Sequence, residues 1–251
     1  NKSDLLLLAA RPGMGKTSFI LNIARNVAVQ QNRTVAIFNL EMSREQMVNR
    51  LLSGEARVPS KNLRTGMLSP DEWQRLGAAS SILCKAPIYL DETATITVPE
   101  MKARLRRLKN LSFVVVDYLQ LMHGAKRTDN RVQEVSEITR SLKIMAKELD
   151  VPVMVAAQLS RSPEKQSGGS RKPGLSDLRE SGSIEQDADQ VLFIYRDDYY
   201  RNEQQDPTAV SPNSSEIIVA KNRHGELGSV PLAWQGEFTQ FLAVDNRSEN
   251  G

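Results

Sequence analysis

Ala10-Arg11-Pro12-Gly13-Met14-Gly15-Lys16-Thr17 follows the apolar run Leu5-Leu6-Leu7-Leu8-Ala9 and leads into a pattern with Phe19, Ile20, Ile23, Ala24 and Val27 on one helical face. Strand, glycine-bearing loop, Gly-Lys-Thr and helix in that order is the context a phosphate-binding P-loop requires. Unpaired N–H groups of the loop and the positive end of the helix dipole both favour an anion there. The residues expected to cradle the phosphates are Arg11, Pro12, Gly13, Met14, Gly15, Lys16, Thr17 and Ser18, with Lys16 reaching the β- and γ-phosphates and the Thr17 hydroxyl ligating Mg²⁺. Ala10 stands where a glycine is usual, which requires a negative φ at that position. The sequence therefore predicts binding of a nucleoside triphosphate with Mg²⁺.

Outward from the loop, short β-rich runs alternate with helical patterns, the signature of an α/β fold with a mostly parallel central sheet flanked by helices. Strands are expected at Leu5–Ala9, Thr34–Asn39, Ile88–Leu90, Phe113–Val116, Val153–Ala157 and Val191–Tyr195. Helices are expected at Lys16–Val29, Ser43–Gly54, Val98–Lys109 and Val132–Leu149, with a further helical excursion starting near Ser69-Pro70-Asp71-Glu72. Ser43 with Gln46, and Thr97 with Glu100, have capping-box spacing. Glu216–Lys221 and Val230–Trp234 read as a C-terminal β-hairpin with a basic tip, followed by a short strand near Phe241–Val244. Polar composition marks Gly124–Asn130, Pro163–Gly174 and Asp197–Ser215 as mobile.

Three strand ends carry candidate chemistry. Phe113-Val114-Val115-Val116 delivers Asp117 to the C-terminal sheet edge, where ligands bind in such folds, so Asp117 is the expected Mg²⁺ carboxylate opposite Thr17. Glu41 closes the second strand and could polarise an attacking water as a general base. It could equally sit as favourable charge at the N-terminus of the next helix. Gln158 ends the fifth strand, where an amide can contact the γ-phosphate.

Composition narrows the class. The chain has 251 residues, 40% of them hydrophobic, enough for one large domain, and no apolar run approaches a membrane span. Cys84 is the single cysteine, which excludes an internal disulfide framework or cysteine metal site and fits a reducing cytoplasm; a small core or semi-buried role is expected for it. Net charge is +3, which permits a polyanion partner without demanding one. The Lys102, Arg104, Arg106, Arg107 and Lys109 cluster reads better as a solvated helix face than as a nucleic-acid surface. Aromatic residues make up 5%, and Trp73 and Trp234 are expected to be packing residues, so any DNA would be held by its phosphates.

Together these pieces resemble the RecA-like ATPase core, and several phrases resemble the DnaB-type replicative helicases. The Ala-Arg-Pro opening of the P-loop is one, Leu40-Glu41-Met42-Ser43 another. Val115-Val116-Asp117-Tyr118-Leu119-Gln120-Leu121-Met122 is similar to that family's Walker B motif, and Gln158-Leu159-Ser160-Arg161 to the motif after the fifth strand. Asp177-Leu178-Arg179-Glu180-Ser181-Gly182 through Asp189, and Lys221-Asn222-Arg223-His224-Gly225, complete the set. The resemblance implies that Glu41 is the catalytic base and Gln158 the γ-phosphate sensor, with Lys16 beside them. It implies that Lys221 and Arg223 enter the ATP site of a neighbouring subunit, Arg223 as the arginine finger. Arg179, Glu180 and Gly182 would contact single-stranded DNA.

The family implies a homo-hexamer moving 5′ to 3′, with a primase and a helicase loader as partners and no membrane association. It also implies an ATPase domain over 1–246 and a flexible tail over 247–251, with an N-terminal domain and linker outside this chain. The rival expectation is a RecA-like ATP-switched DNA-binding or recombination protein without processive unwinding.

Overall fold

The computed structural model describes residues 1–122, 124, 130–159, 172–196, 199 and 213–244. Its centre is a nine-stranded sheet: β1 (Leu5–Ala10), β2 (Thr34–Asn39), β3 (Ile88–Asp91), β4 (Leu111–Asp117), β5 (Val153–Gln158), β6 (Gln190–Arg196), β7 (Ser214–Asn222), β8 (Gly228–Gln235) and β9 (Gln240–Ala243). Strand order is β3-β2-β4-β5-β1-β6-β7-β8-β9. The first six strands pair in parallel and the last three antiparallel. The expected α/β architecture with a C-terminal hairpin is what forms.

Helices α1 (Lys16–Arg25), α2 (Arg44–Ala56), α3 (Ser60–Thr65), α4 (Pro70–Leu83), α5 (Val98–Leu105), α6 (Arg131–Leu149) and α7 (Gly182–Asp187) cover the sheet. Strands β1, β2, β4 and β5 are buried on both faces, so their runs are continuously apolar rather than alternating. One face packs Phe38, Val114, Val116 and Val155 against α5 and α6 through Met101, Leu105, Leu142 and Met145. The other packs Leu8, Ile37, Val115 and Met154 against α1 and α2 through Ile20, Leu21, Met47 and Leu51. Ser43 caps α2 and Ser69 caps α4, each in a reciprocal capping box.

Several expectations are corrected. Regular helix in α1 stops at Arg25, and a widened turn over Asn26–Gln30 follows, burying Ala28. α5 stops at Leu105 because the chain must turn through Asn110, whose φ is 53°, to enter β4. The excursion before β3 is two helices, α3 and α4, closing a small satellite cluster of Ala56, Val58, Leu76 and Ala79. Trp73 lies off that buried face and is 60% exposed, so it is not a packing residue. Cys84, at the end of the same helix, is exposed rather than semi-buried. Trp234 is buried as expected.

The basic α5 face is engaged in ion pairs: Lys102 and Arg106 with Glu148, and Arg104 with Asp91. Of the three segments expected to be mobile, most residues lie outside the described ones, as does the 247–251 tail. Among the described residues no helix is long and apolar enough to cross a membrane.

Candidate functional site

Ala10, Asn39, Asp117 and Gln158 are the last residues of β1, β2, β4 and β5, so four adjacent strands bring their ends to one edge of the sheet. The P-loop leaves from Ala10, which is buried and absent from the positive-φ residues, as the Ala-for-Gly departure requires. Gly13 and Gly15 take φ of 78° and 92°, a region costly for any side chain. A Cβ on Gly15 would also meet the Phe241 ring at 3.0 Å. Met14 is buried and its N–H donates to the Arg11 carbonyl at 3.3 Å, which anchors the loop to the core. Gly15 caps α1 with no side-chain hydrogen bond, leaving the first N–H groups of the helix open to an anion.

The Thr17 hydroxyl donates to Asp117 Oδ2 at 2.7 Å. Asp117 is 1% exposed, and its Oδ1 has no hydrogen-bond partner; Lys16 Nζ stands 3.9 Å from it. A buried carboxylate oxygen without a hydrogen bond is costly unless a cation takes it up. A hydroxyl and a carboxylate side by side are hard oxygen donors of the kind Mg²⁺ accepts. Thr17 and Asp117 therefore fit a divalent cation between them.

Glu41 follows β2 in a turn that Asn39 fixes: Asn39 Oδ1 accepts the N–H of Glu41 at 2.9 Å and of Met42 at 2.7 Å. The Leu40 N–H donates to the Asp117 carbonyl at 2.8 Å, tying that turn to β4. Burial lowers the pKa of Lys16, with the charges of Asp117 and Glu41 opposing. Burial lowers Arg50 of α2 in the same way, against the same two carboxylates. Tyr118 is raised by burial and then by Glu41 and Asp117. Lys16 Nζ sits 4.5 Å over its ring. Two cations, two carboxylates and the P-loop thus share one field. Arg50 was missed in the sequence because a lone Arg on a helix carries no motif. Asn39 could have been found from the Asx-turn pattern of a strand-end Asn two residues before Glu41.

Gln158 is exposed at the same edge. Its backbone is held by Gln120, whose Nε2 donates to the Gln158 carbonyl at 3.0 Å and whose Oε1 accepts the Gln158 N–H at 3.2 Å. Ser160 and Arg161 of the same motif lie outside the described residues. Arg179, Glu180 and Gly182 fall in the turn and helix of Leu175–Asp187, and their side chains are outside the described set.

Lys221 and Arg223 are elsewhere. Gln190 pairs with Leu6 on one side and Asn222 on the other, so the hairpin tip lies level with the start of β1. From Leu6 to Ala10 the strand climbs roughly 13 Å, and β7 is two strands, or about 10 Å, to the side. These cations stand at the edge opposite their own P-loop. Lys221 Nζ donates to the Glu185 carbonyl and Arg223 Nη2 to the Gln186 carbonyl, each at 2.5 Å. Burial lowers the pKa of Lys221, and the like charge of Arg223 adds to it.

Residues 1–243 match the family described as the DnaB-like helicase C terminal domain. The chain is 50% identical to the replicative DNA helicase DnaB of Geobacillus stearothermophilus over 98% of its length and 54% of that protein's. It is 48% identical to the replicative DNA helicase DnaC of Bacillus subtilis over 99% of its length and 54% of that protein's. The chain thus spans about half the length of these relatives. A solved ATPase domain, 36% identical, superposes with a TM-score of 0.89 over 98% of this chain and 86% of that one. A DnaB-like replicative helicase, solved in a study of its interactions with primase, is 35% identical with a TM-score of 0.89 over 97% of this chain and 58% of its own. The fold is the RecA-like α/β arrangement.

Proposed function

The chain belongs to the DnaB-like helicase C-terminal domain family, and we propose on that premise that it is the ATP-hydrolysing motor of a ring helicase that moves along single-stranded DNA and separates the duplex at a replication fork. The observation that carries this reading is the buried Asp117 carboxylate, one oxygen accepting from Thr17 and the other open beside Lys16. Thr17 and Asp117 would hold Mg²⁺, whose chemistry when bound is to neutralise charge on the β- and γ-phosphoryl oxygens. The P-loop N–H groups and Lys16 bind and orient the triphosphate of ATP. Glu41 accepts the proton of the attacking water, its turn fixed by Asn39, and Gln158 contacts the γ-phosphate.

Lys221 and Arg223 act on the nucleotide of a neighbouring subunit, supported by their place at the edge opposite their own P-loop. A cation in trans stabilises charge on the transferring phosphoryl group and makes hydrolysis depend on assembly. Arg179, Glu180 and Gly182 contact the DNA backbone without reading sequence, as a motor crossing every sequence requires. In this reading residues 1–246 are the motor. The working form is a cytoplasmic homo-hexamer translocating 5′ to 3′, served by a loader and by a primase such as the structural neighbour was solved to examine.

The test is strand displacement on a forked duplex by the full-length protein, with ATP turnover followed in parallel. Unwinding abolished by Lys16→Ala supports the motor. DNA-stimulated turnover without displacement would overturn it in favour of an ATP-switched DNA-binding protein.

A further inference from the structure

At the edge away from the P-loop, Asp189 is 3% exposed where α7 passes into β6. Its Oδ2 accepts the Leu5 N–H at 2.8 Å and the ammonium of Lys143 from α6. Its Oδ1 faces Arg223 Nη1 at 3.4 Å, and its carbonyl accepts the Arg223 N–H at 2.9 Å. The other guanidinium nitrogen of Arg223 and the ammonium of Lys221 rest on the Gln186 and Glu185 carbonyls at the end of α7. His224 Nε2 lies 3.4 Å from the buried Asp4 carboxylate beside them. A buried carboxylate needs a cation, and Lys143 alone supplies one. Arg223 is therefore not required to neutralise Asp189. The reverse dependence is the stronger one, because Asp189 meets Arg223 through both its side chain and its backbone. Burial pushes the Asp189 carboxyl up, but Lys143, the Leu5 N–H and Arg223 outweigh it and hold the group below its ordinary value, so it stays charged.

We infer that Asp189, together with the Glu185 and Gln186 carbonyls, is a positioning site that presents Arg223 to the neighbouring subunit's nucleotide and ties its position to the 175–187 segment carrying the DNA-contact candidates. The inference rests on reading Arg223 as a trans-acting cation. One carboxylate between two cations leaves a net positive charge, so Arg223 can turn toward a phosphate without stranding Asp189. A shift of α7 on DNA engagement moves the carbonyls under both hairpin cations, which gives single-stranded DNA a route to the next ATP site. Misplacement of a catalytic group by about 1 Å costs on the order of 100-fold in rate.

The experiment uses the full-length protein with Asp189→Asn, Arg223→Ala and both together. Binding of a non-hydrolysable ATP analogue by each variant establishes that its own P-loop is folded. Asp189→Asn is expected to lower DNA-stimulated turnover roughly 10- to 100-fold, and the double variant to be no slower than Arg223→Ala, because Asp189 acts through Arg223. A structural role would make the two losses add, which overturns the inference. So would DNA-stimulated turnover within twofold of the parent.

Mixed assemblies supply the second reading. Subunits with Lys16→Ala retain Asp189 and Arg223, so mixing them with Asp189→Asn subunits should restore turnover at interfaces pairing an intact P-loop with an intact cation. Absence of recovery there, with recovery in the Arg223→Ala and Lys16→Ala mixture, overturns the role of Asp189 and leaves the trans cation standing. Absence of recovery in both removes the trans cation itself. Should Asn at 189 fail to bind the analogue, Asp189→Glu, which keeps the charge and displaces it, takes the same tests.

Discussion

At the scale of single residues, the site spends stability on function. Asp117 is buried with one oxygen bonded to Thr17 and the other without a hydrogen bond, an arrangement no stability argument would select. Asn in its place can still accept from Thr17 while carrying no buried charge. Asp117→Asn should therefore abolish ATP turnover yet leave the metal-free protein as stable as before, or more stable by about 1 kcal/mol. Denaturant unfolding in chelator beside a turnover assay checks both halves, and a large loss of stability would refute the account. Asp91 shows the opposite economy. Burial pushes its carboxyl up, but Thr93 and Arg104 hydrogen-bond to it and hold it below its ordinary value, with the Tyr89 hydroxyl also donating at 3.3 Å. The folded chain then holds fewer protons than the unfolded one below roughly pH 3.9. This contribution is complete above that pH and is lost as pH falls through the depressed folded value. Asp91→Asn should flatten the decline of stability as pH falls below about 3.9, measured by denaturant titration at each pH.

Among the elements, the C-terminal meander is more than an appendage to the sheet. Phe241 of β9 packs edge-on to Phe19 of α1 with centroids 5.7 Å apart and lies 4.5 Å from Trp234 of β8. Its N–H donates to Asn22 Oδ1 at 2.7 Å, and its ring lies 3.0 Å from where a Cβ on Gly15 would stand. Strands at the far end of the chain thus brace the helix whose N-terminus would hold the phosphates. Phe241→Ala should cost about 3–5 kcal/mol and weaken binding of an ATP analogue as well; thermal unfolding and analogue titration read the two effects separately. The sequence showed these strands and the P-loop as local patterns, yet not that they touch. Apolar runs, capping boxes and strand-end Asp117 and Gln158 were legible because each signal lies within a few residues, whereas Glu41, expected to close β2, stands in the turn two residues beyond its end. Arg50 was not, since its meaning comes from Glu41 and Asp117 across the fold. Asp189 stayed hidden because its cations come from α6 and the β7–β8 hairpin. Trp73 and Cys84 misled because apolar character alone does not say which helix face finds a core.

For the whole molecule, topology separates what the proposed hydrolysis would have to join. Parallel strands carry Lys16, Thr17, Glu41, Asp117 and Gln158 to one edge, and the antiparallel return of β7 carries Lys221 and Arg223 to the other. No rotamer of a side chain crosses the roughly 13 Å of strand between them and the 10 Å of sheet beside it. In the proposed reading one chain would hold two incomplete halves, each completed by a copy of itself in a head-to-tail contact, and such contacts close into rings when the rotation allows. A trans-acting Arg in phosphoryl transfer is worth on the order of 10³–10⁵ in rate. Turnover per subunit should accordingly fall far more steeply than binding as the protein is diluted below its assembly concentration. Analogue binding should persist in the monomer, because the P-loop, Lys16 and Thr17 lie within one chain. Turnover and analogue binding measured across a dilution series, with mass followed by light scattering, separate the two. A monomer that hydrolyses ATP at the assembled rate would mean that the cation completing the site comes from within the chain, and Arg50, already in the field of Glu41 and Asp117, would be the residue to examine.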